Sequence, residues 1–104
     1  MRVGPLVVVA GTTGEGDDVA SQTRDALGRI DIVLYEAGAA LTDVVRIRIY
    51  VTDISIWREV GAVHREVFSH VRPVATMVEV SALISPELLV EVEADAYVAG
   101  ESRD

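Results

Sequence analysis

In the run Val44 to Thr52 apolar and polar residues alternate from Val45 onward, and that period of two constrains the fold more than any other feature. Val45, Ile47, Ile49 and Val51 face one way, and Arg46, Arg48, Tyr50 and Thr52 face the other. Such a strand has one buried and one polar side, so its sheet is covered on one face only. Leu6-Val7-Val8-Val9-Ala10 reads as a second, buried strand, opened by a Gly4-Pro5 turn and closed by Gly11. Met1 to Val3 is the stub of a strand before it. Thr76 to Val80 and Leu88 to Val98 are two more, parted by the turn Ser85-Pro86-Glu87. Between the strands the period changes. After the loop Thr12 to Gly16, Asp17-Asp18 offers side-chain oxygens to a helix start, and Ala26, Leu27, Ile30, Val33, Leu34 and Ala37 recur at three and four. Gln22, Arg24, Asp25, Arg29 and Glu36 fall on its outer side, and Gly38 ends it. A second helix, capped by Asp53 or Ser55, runs to about Phe68 on an inner stripe of Ile56, Val60, Val63, Val67 and Phe68. The order strand, helix, strand, helix, strand, strand predicts an α+β fold. Its economical form is a mixed four-stranded sheet with two helices packed on one face, within a single domain over 1–104.

The open face is the informative one. It is expected to carry Arg46, Arg48 and Tyr50 from one strand, Glu79 from another, and Leu89, Glu91, Glu93, Asp95 and Tyr97 from the last. Opposite charges on neighbouring strands pair across a sheet, and an ordinary solvated face is the simplest reading. The same face, mixed with Met77, Leu89 and Tyr97, also suits an oligomer interface with a lined cleft. Composition favours a buried interface. Half of the residues are hydrophobic and only 5% aromatic, so the apolar material is Val, Ile, Leu and Ala. A mean hydropathy of +0.33 is high for a chain with 25% charged residues.

Charge and residue usage exclude whole classes. The formal net charge is −8, from 17 acidic and 9 basic residues, and no basic run supplies the field that bulk nucleic-acid binding needs. With no cysteine, disulfides, thiolate chemistry and Cys-based zinc sites are all absent. No apolar run approaches the ~18 residues of a membrane span, and Met1-Arg2-Val3 leads into no cleavage pattern, so a cytoplasmic location is expected. His64 and His70 lie six apart without an HExxH pattern and read as solvated, so no metal is assigned. Gly11-Thr12-Thr13-Gly14 lacks the ending of a phosphate loop. Glu91 and Glu93 leave one face of a strand; such a pair holds water or acts as a general base when partly buried, and otherwise balances Arg46 and Arg48.

The order of several short motifs resembles the Rid family, the YjgF-like imine deaminases. Leu6-Val7-Val8-Val9-Ala10-Gly11 is similar to the family strand that ends in Ser-Gly. The helix from Val19 through Gln22-Thr23-Arg24 to Glu36-Ala37-Gly38 resembles its first long helix. Leu41-Thr42-Asp43-Val44-Val45 leading to Tyr50-Val51-Thr52-Asp53 matches its central run. Arg72-Pro73-Val74-Ala75-Thr76-Met77-Val78-Glu79-Val80, then Leu83 and Val90-Glu91-Val92-Glu93-Ala94, follows its carboxy-terminal signature. The resemblance implies a chorismate-mutase-like fold and a homotrimer with three clefts between subunits. It implies hydrolysis of reactive enamines and imines, such as 2-aminoacrylate, to ammonia and a 2-keto acid without a cofactor. In such a site an arginine clamps the substrate carboxylate, and a glutamate positions the attacking water.

Carried onto this chain, the resemblance makes Glu91 the catalytic residue, with Gly11, Thr12, Tyr50, Ala75, Thr76 and Met77 around a small-molecule ligand. Three positions depart from the pattern. Ala75 stands where the clamp arginine belongs, and a methyl group cannot bind a carboxylate. Ala10 replaces the serine before Gly11. The amino terminus is short and lacks the Gly-Pro-Tyr segment that lines the cleft. Two expectations follow: a deaminase-like enzyme using Glu91, or a non-catalytic small-molecule-binding or regulatory trimer. The ribonuclease activity also attached to the family is opposed by the acidic balance.

Overall fold

A computed structural model describes residues 1–99. Five strands and two helices follow one another as β1 (Arg2–Val3), β2 (Leu6–Thr12), α1 (Val19–Glu36), β3 (Val44–Val51), α2 (Trp57–Val67), β4 (Val74–Glu79) and β5 (Val90–Tyr97). The sheet order is β1-β2-β5-β3-β4. β3 and β4 run parallel, joined by α2, and every other pair is antiparallel. The sheet is thus mixed and five-stranded, not four-stranded. The stub at Arg2–Val3 pairs with β2 around a turn in which Gly4 adopts φ +59°, a backbone state that costs glycine nothing.

α1 begins where its sequence signal places it. The Asp18 carboxylate accepts from the Ser21 amide at 2.8 Å, and hydrogen bonds from Ser21 hold its carboxyl below the ordinary range. The helix ends in a left-handed Gly38 at φ +83°. There Ala39 N–H donates to Leu34 O at 2.8 Å and Gly38 N–H to Tyr35 O at 3.0 Å, which satisfies two of the last free carbonyls. Its inward face is Val19, Thr23, Ala26, Leu27, Ile30 and Leu34, all buried. They pack with Val60 and Val63 of α2 over Val7, Val9, Ile47, Ile49, Val51, Val92 and Ala94 of the sheet. Each large side chain removed from water contributes roughly 1.5–3 kcal/mol, so this single layer holds helices and sheet together. Neither helix is long and apolar enough to cross a membrane.

Five inward–outward assignments made from periodicity change. Val44, not Val45, is buried, because β3 carries a register shift between Val44 and Arg46 against β5; Val45 is 49% exposed. An inserted residue of this kind breaks the alternation once and restores it afterwards. Val33, expected inside α1, is 40% exposed, whereas Gln22, expected outside, is 3% exposed. Gln22 is paid for by three hydrogen bonds: its amide donates to Gly16 O and Glu87 O at 3.1 and 3.0 Å and accepts from Leu89 N–H at 2.8 Å. β2 also runs on through Gly11 to Thr12, since its own register shift absorbs the glycine without ending the strand. Finally, Glu79 and Met77 do not join the open face. In β4 they pair with Val51 and Ile49, so they point to the helix side, and Glu79 accepts from the Ile54 amide at 3.0 Å.

Candidate functional site

The face without helices is built from rows of side chains that run across the strands. Tyr50 pairs with Glu91, Arg48 with Glu93 and Arg46 with Asp95. On the far side of β3 the rows continue to Val78, Thr76 and Val74. Paired residues share a face, so basic and acidic groups meet in the centre, with valines and a threonine at the β4 rim.

Most of the charge on this face is consumed internally. Arg48 Nη1 lies 3.3 Å from Asp95 Oδ2 and 3.8 Å from Glu93 Oε1. Tyr50 donates its hydroxyl to Glu93 Oε1 at 2.8 Å. That bond, with desolvation and the carboxylate charge behind it, pushes the Tyr50 phenol above its ordinary range. Arg48, Tyr50, Glu93 and Asp95 therefore form one network that stabilises the sheet. A cavity of about 340 Å³ beside it is lined by Arg48, Glu93, Asp95, Val8 and Ala10, and Glu91 lies outside it.

Glu91 differs from its two neighbours. Among the described residues it makes no hydrogen bond and no ion pair. It is half-buried and lies against the backbone of Gly11, where an added Cβ would meet its Oε2 and stand 2.8 Å from its Cδ. The missing side chain at Gly11 is what gives this carboxylate its room. A half-buried, unpaired carboxylate beside a bare stretch of backbone can hold a water and take its proton.

The other expected site residues distribute unequally. Tyr50 is in the same row as Glu91, but its hydroxyl turns to Glu93. Thr76 is one row away, exposed at the rim. Thr12 pairs with the core residue Val92 and donates its hydroxyl to Ala10 O at 2.8 Å. Ala75 and Met77 pair with Ile47 and Ile49 and so leave the opposite face from Glu91. One chain does not bring them together with the glutamate. Among the described residues no group of acids and histidines is arranged to hold a metal ion.

Sequence reasoning missed a second concave region. His64, read as solvated, has its Nε2 buried with no hydrogen-bond partner, and burial, helped by the Arg65 charge, lowers its pKa. Its ring lies 4.9 Å from that of Phe68, tilted by 42°. The signal was present, because His64 stands four residues after Val60 and four before Phe68, on the inner stripe of α2.

The profile of the family described as Endoribonuclease L-PSP matches residues 1–98. A RutC family protein of Pyrococcus abyssi is 36% identical over 93% of this chain and 82% of its own length. The 3-aminoacrylate deaminase RutC of Acinetobacter baylyi is 35% identical over 78% of this chain and 64% of its own. Among solved structures, a Mycobacterium tuberculosis member of the YjgF/YER057c/UK114 family superposes with a TM-score of 0.92 at 73% identity, covering 93% of this chain and 82% of that one.

Proposed function

The chain belongs to the Endoribonuclease L-PSP (YjgF/RutC/Rid) family, and on that premise we propose that it is a cofactor-independent, deaminase-like hydrolase of a reactive enamine or imine, working as a cytoplasmic homotrimer. The observation that carries the reading is the state of Glu91: half-buried, unpaired and seated against Gly11, while the acids beside it are engaged by Arg48 and Tyr50. The relative named as a deaminase supports the reaction type.

The chemistry asks little of such a site. An enamine tautomerises to its imine, and Glu91 takes a proton from water as the oxygen adds to the imine carbon. That proton passes to nitrogen to give a carbinolamine; the carboxylate then carries the hydroxyl proton to the amino group, the C–N bond breaks, and ammonia leaves a carbonyl behind. Water is consumed, no electrons are exchanged, and a single carboxylate serves as base and then acid. Holding the water within contact distance of the carbon supplies much of the acceleration.

The same geometry supports an inter-subunit cleft. Ala75 and Met77 at the β4 rim and Glu91 on the open face belong to opposite sides of one sheet. They line one site only if a second copy brings its rim to the first copy's open face. The Ala75 methyl offers nothing to a carboxylate, so the substrate's recognition rests on other contacts. That substitution also favours the second reading, a small-molecule-binding trimer without turnover. RNA is the least suited ligand for a chain of net charge −8 whose open-face arginines include an ion-paired Arg48.

The test is ammonia release from freshly generated 2-aminoacrylate, with native protein, Ala75→Arg and Glu91→Ala compared. Acceleration by native protein that disappears in Glu91→Ala supports hydrolysis. Activity in Ala75→Arg alone assigns the native chain to binding. Light scattering at about three times the chain mass of 11.2 kDa supports the shared cleft, and a monomer would sink it.

A further inference from the structure

A cavity of about 310 Å³ opens where α2 ends and the chain crosses to β4, lined by His64, Arg65, Phe68, Ser69, Arg72 and Pro73. The chain carries 17 carboxylates against 9 basic groups, so two arginines without an acid between them are unexpected. None of these lining residues is acidic. Arg65 and Arg72 make no ion pair among the described residues; Arg2, Arg46 and Arg58 make none either, but only Arg65 and Arg72 line one cavity together. Glu66, adjacent in sequence, turns away to Arg24 at 3.3 Å. A cation near a helix carboxy terminus is favoured by the backbone dipole, and that accounts for Arg65. It does not account for Arg72, which arrives from the crossover, nor for the buried, unpartnered His64 Nε2.

An unsatisfied buried ring nitrogen is costly and is kept where something completes it. We infer that this cavity is a binding site for a small organic oxyanion with a flat apolar body. Arg65 and Arg72 neutralise the anion, Ser69 offers a hydrogen bond to it, the His64 ring forms part of the wall and presents its closed-off Nε2 only once the ring turns, and Phe68 and Pro73 flank the body. A site of this volume lies at the small end of ligand pockets. The bound group is a carboxylate or a phosphate monoester, since arginine serves both. The site stands on the helix side of the sheet, away from the Glu91 face, and does not depend on that carboxylate's role.

The chain has two histidines, and exposed His70 serves as an internal control. The experiment follows both ring resonances by proton NMR while benzoate, phenyl phosphate, inorganic phosphate or benzyl alcohol is added at millimolar concentration. Saturable movement of the His64 signals alone, with benzoate or phenyl phosphate, is the expected result. Arg72→Ala and Arg65→Ala should each weaken it about tenfold, the worth of one charge-assisted contact. The bound anion should also raise the pH at which His64 titrates. Preference between benzoate and phenyl phosphate identifies the head group. The inference fails if His64 does not respond, if benzyl alcohol binds as well as benzoate, or if both arginine variants, shown folded by their spectra, bind like native protein. Binding that moves no His64 signal but is lost in Glu91→Gln would place the ligand on the open face and overturn the assignment.

Discussion

Replacing Gly11 by alanine should inactivate the proposed site without unfolding the protein. The new methyl would lie inside contact distance of Glu91 Oε2, 2.8 Å from Cδ and 3.2 Å from Cγ. Carbon atoms pack at about 3.5–4.0 Å, so the carboxylate must retreat by about 1 Å. It is the free end of a flexible side chain, and the φ of Gly11 is not among the positive ones, so the backbone accepts alanine. Alanine gains about 0.4–1 kcal/mol by restricting the unfolded chain, and a displaced Glu91 rotamer costs about 0.5–1.5 kcal/mol. The two offset each other, and Tm should stay within roughly 5 °C of native. A reacting group misplaced by 1 Å, in contrast, loses on the order of 100-fold in rate. The assay is kcat/KM for ammonia release beside a thermal melt, in the native chain or, if that is inactive, in the Ala75→Arg background. Glu91→Gln sets the floor. A Gly11→Ala protein that keeps full rate while Glu91→Gln loses it would refute the claim that this contact holds the carboxylate in place. A collapse in Tm would show that the methyl strains the backbone instead.

Three further outcomes follow from the same structure. Gln22→Leu removes the partners of Gly16 O, Glu87 O and Leu89 N–H and should cost about 3 kcal/mol, a Tm loss of roughly 15 °C; a shift of a degree or two would mean that water replaces the amide. In an ultraviolet titration of the three tyrosines, Tyr50 should ionise above the ordinary phenol range, because Glu93 holds its proton, and Glu93→Gln should bring it down. His64 is depressed below its ordinary 6.5 in the folded state, so as pH falls the unfolded chain takes up the proton first and stability declines through that window. Urea midpoints on either side of pH 6.5 should show that slope, and His64→Leu should flatten it; an unchanged slope would assign the effect to other groups.

The elements themselves were legible because local chemistry fixes them. The Asp18 cap, the Gly38 stop and the alternation through Ile47, Ile49 and Val51 each act within a few residues. Apart from His64, whose place on the α2 stripe was readable, the errors at Gln22, β4 and Val45 share one cause, which is that the deciding partner lies far away in sequence. Gln22 is buried because Glu87 and Leu89 receive it, and nothing near Gln22 announces them. β4 reads Val-Ala-Thr-Met-Val-Glu, without clean alternation, so its facing is set by the register with β3. Val45 is displaced by a register shift that exists only against β5. In the candidate site, the side on which Glu91 lies was readable from strand parity. Its contact with Gly11 was not, since it requires β2 to neighbour β5.

That β5 neighbours both β2 and β3 bears on how the chain is made. The last of the five strands to leave the ribosome occupies the centre of the sheet. Until Val90–Tyr97 has emerged, β2 and β3 have no common neighbour, and α1 covers a sheet that lacks its middle. Nascent chains therefore cannot complete the core piecewise from the amino end, and non-local pairing of this kind is slow. Folding waits for β5, and every chain that still lacks it presents its valine-rich strands to chaperones and proteases.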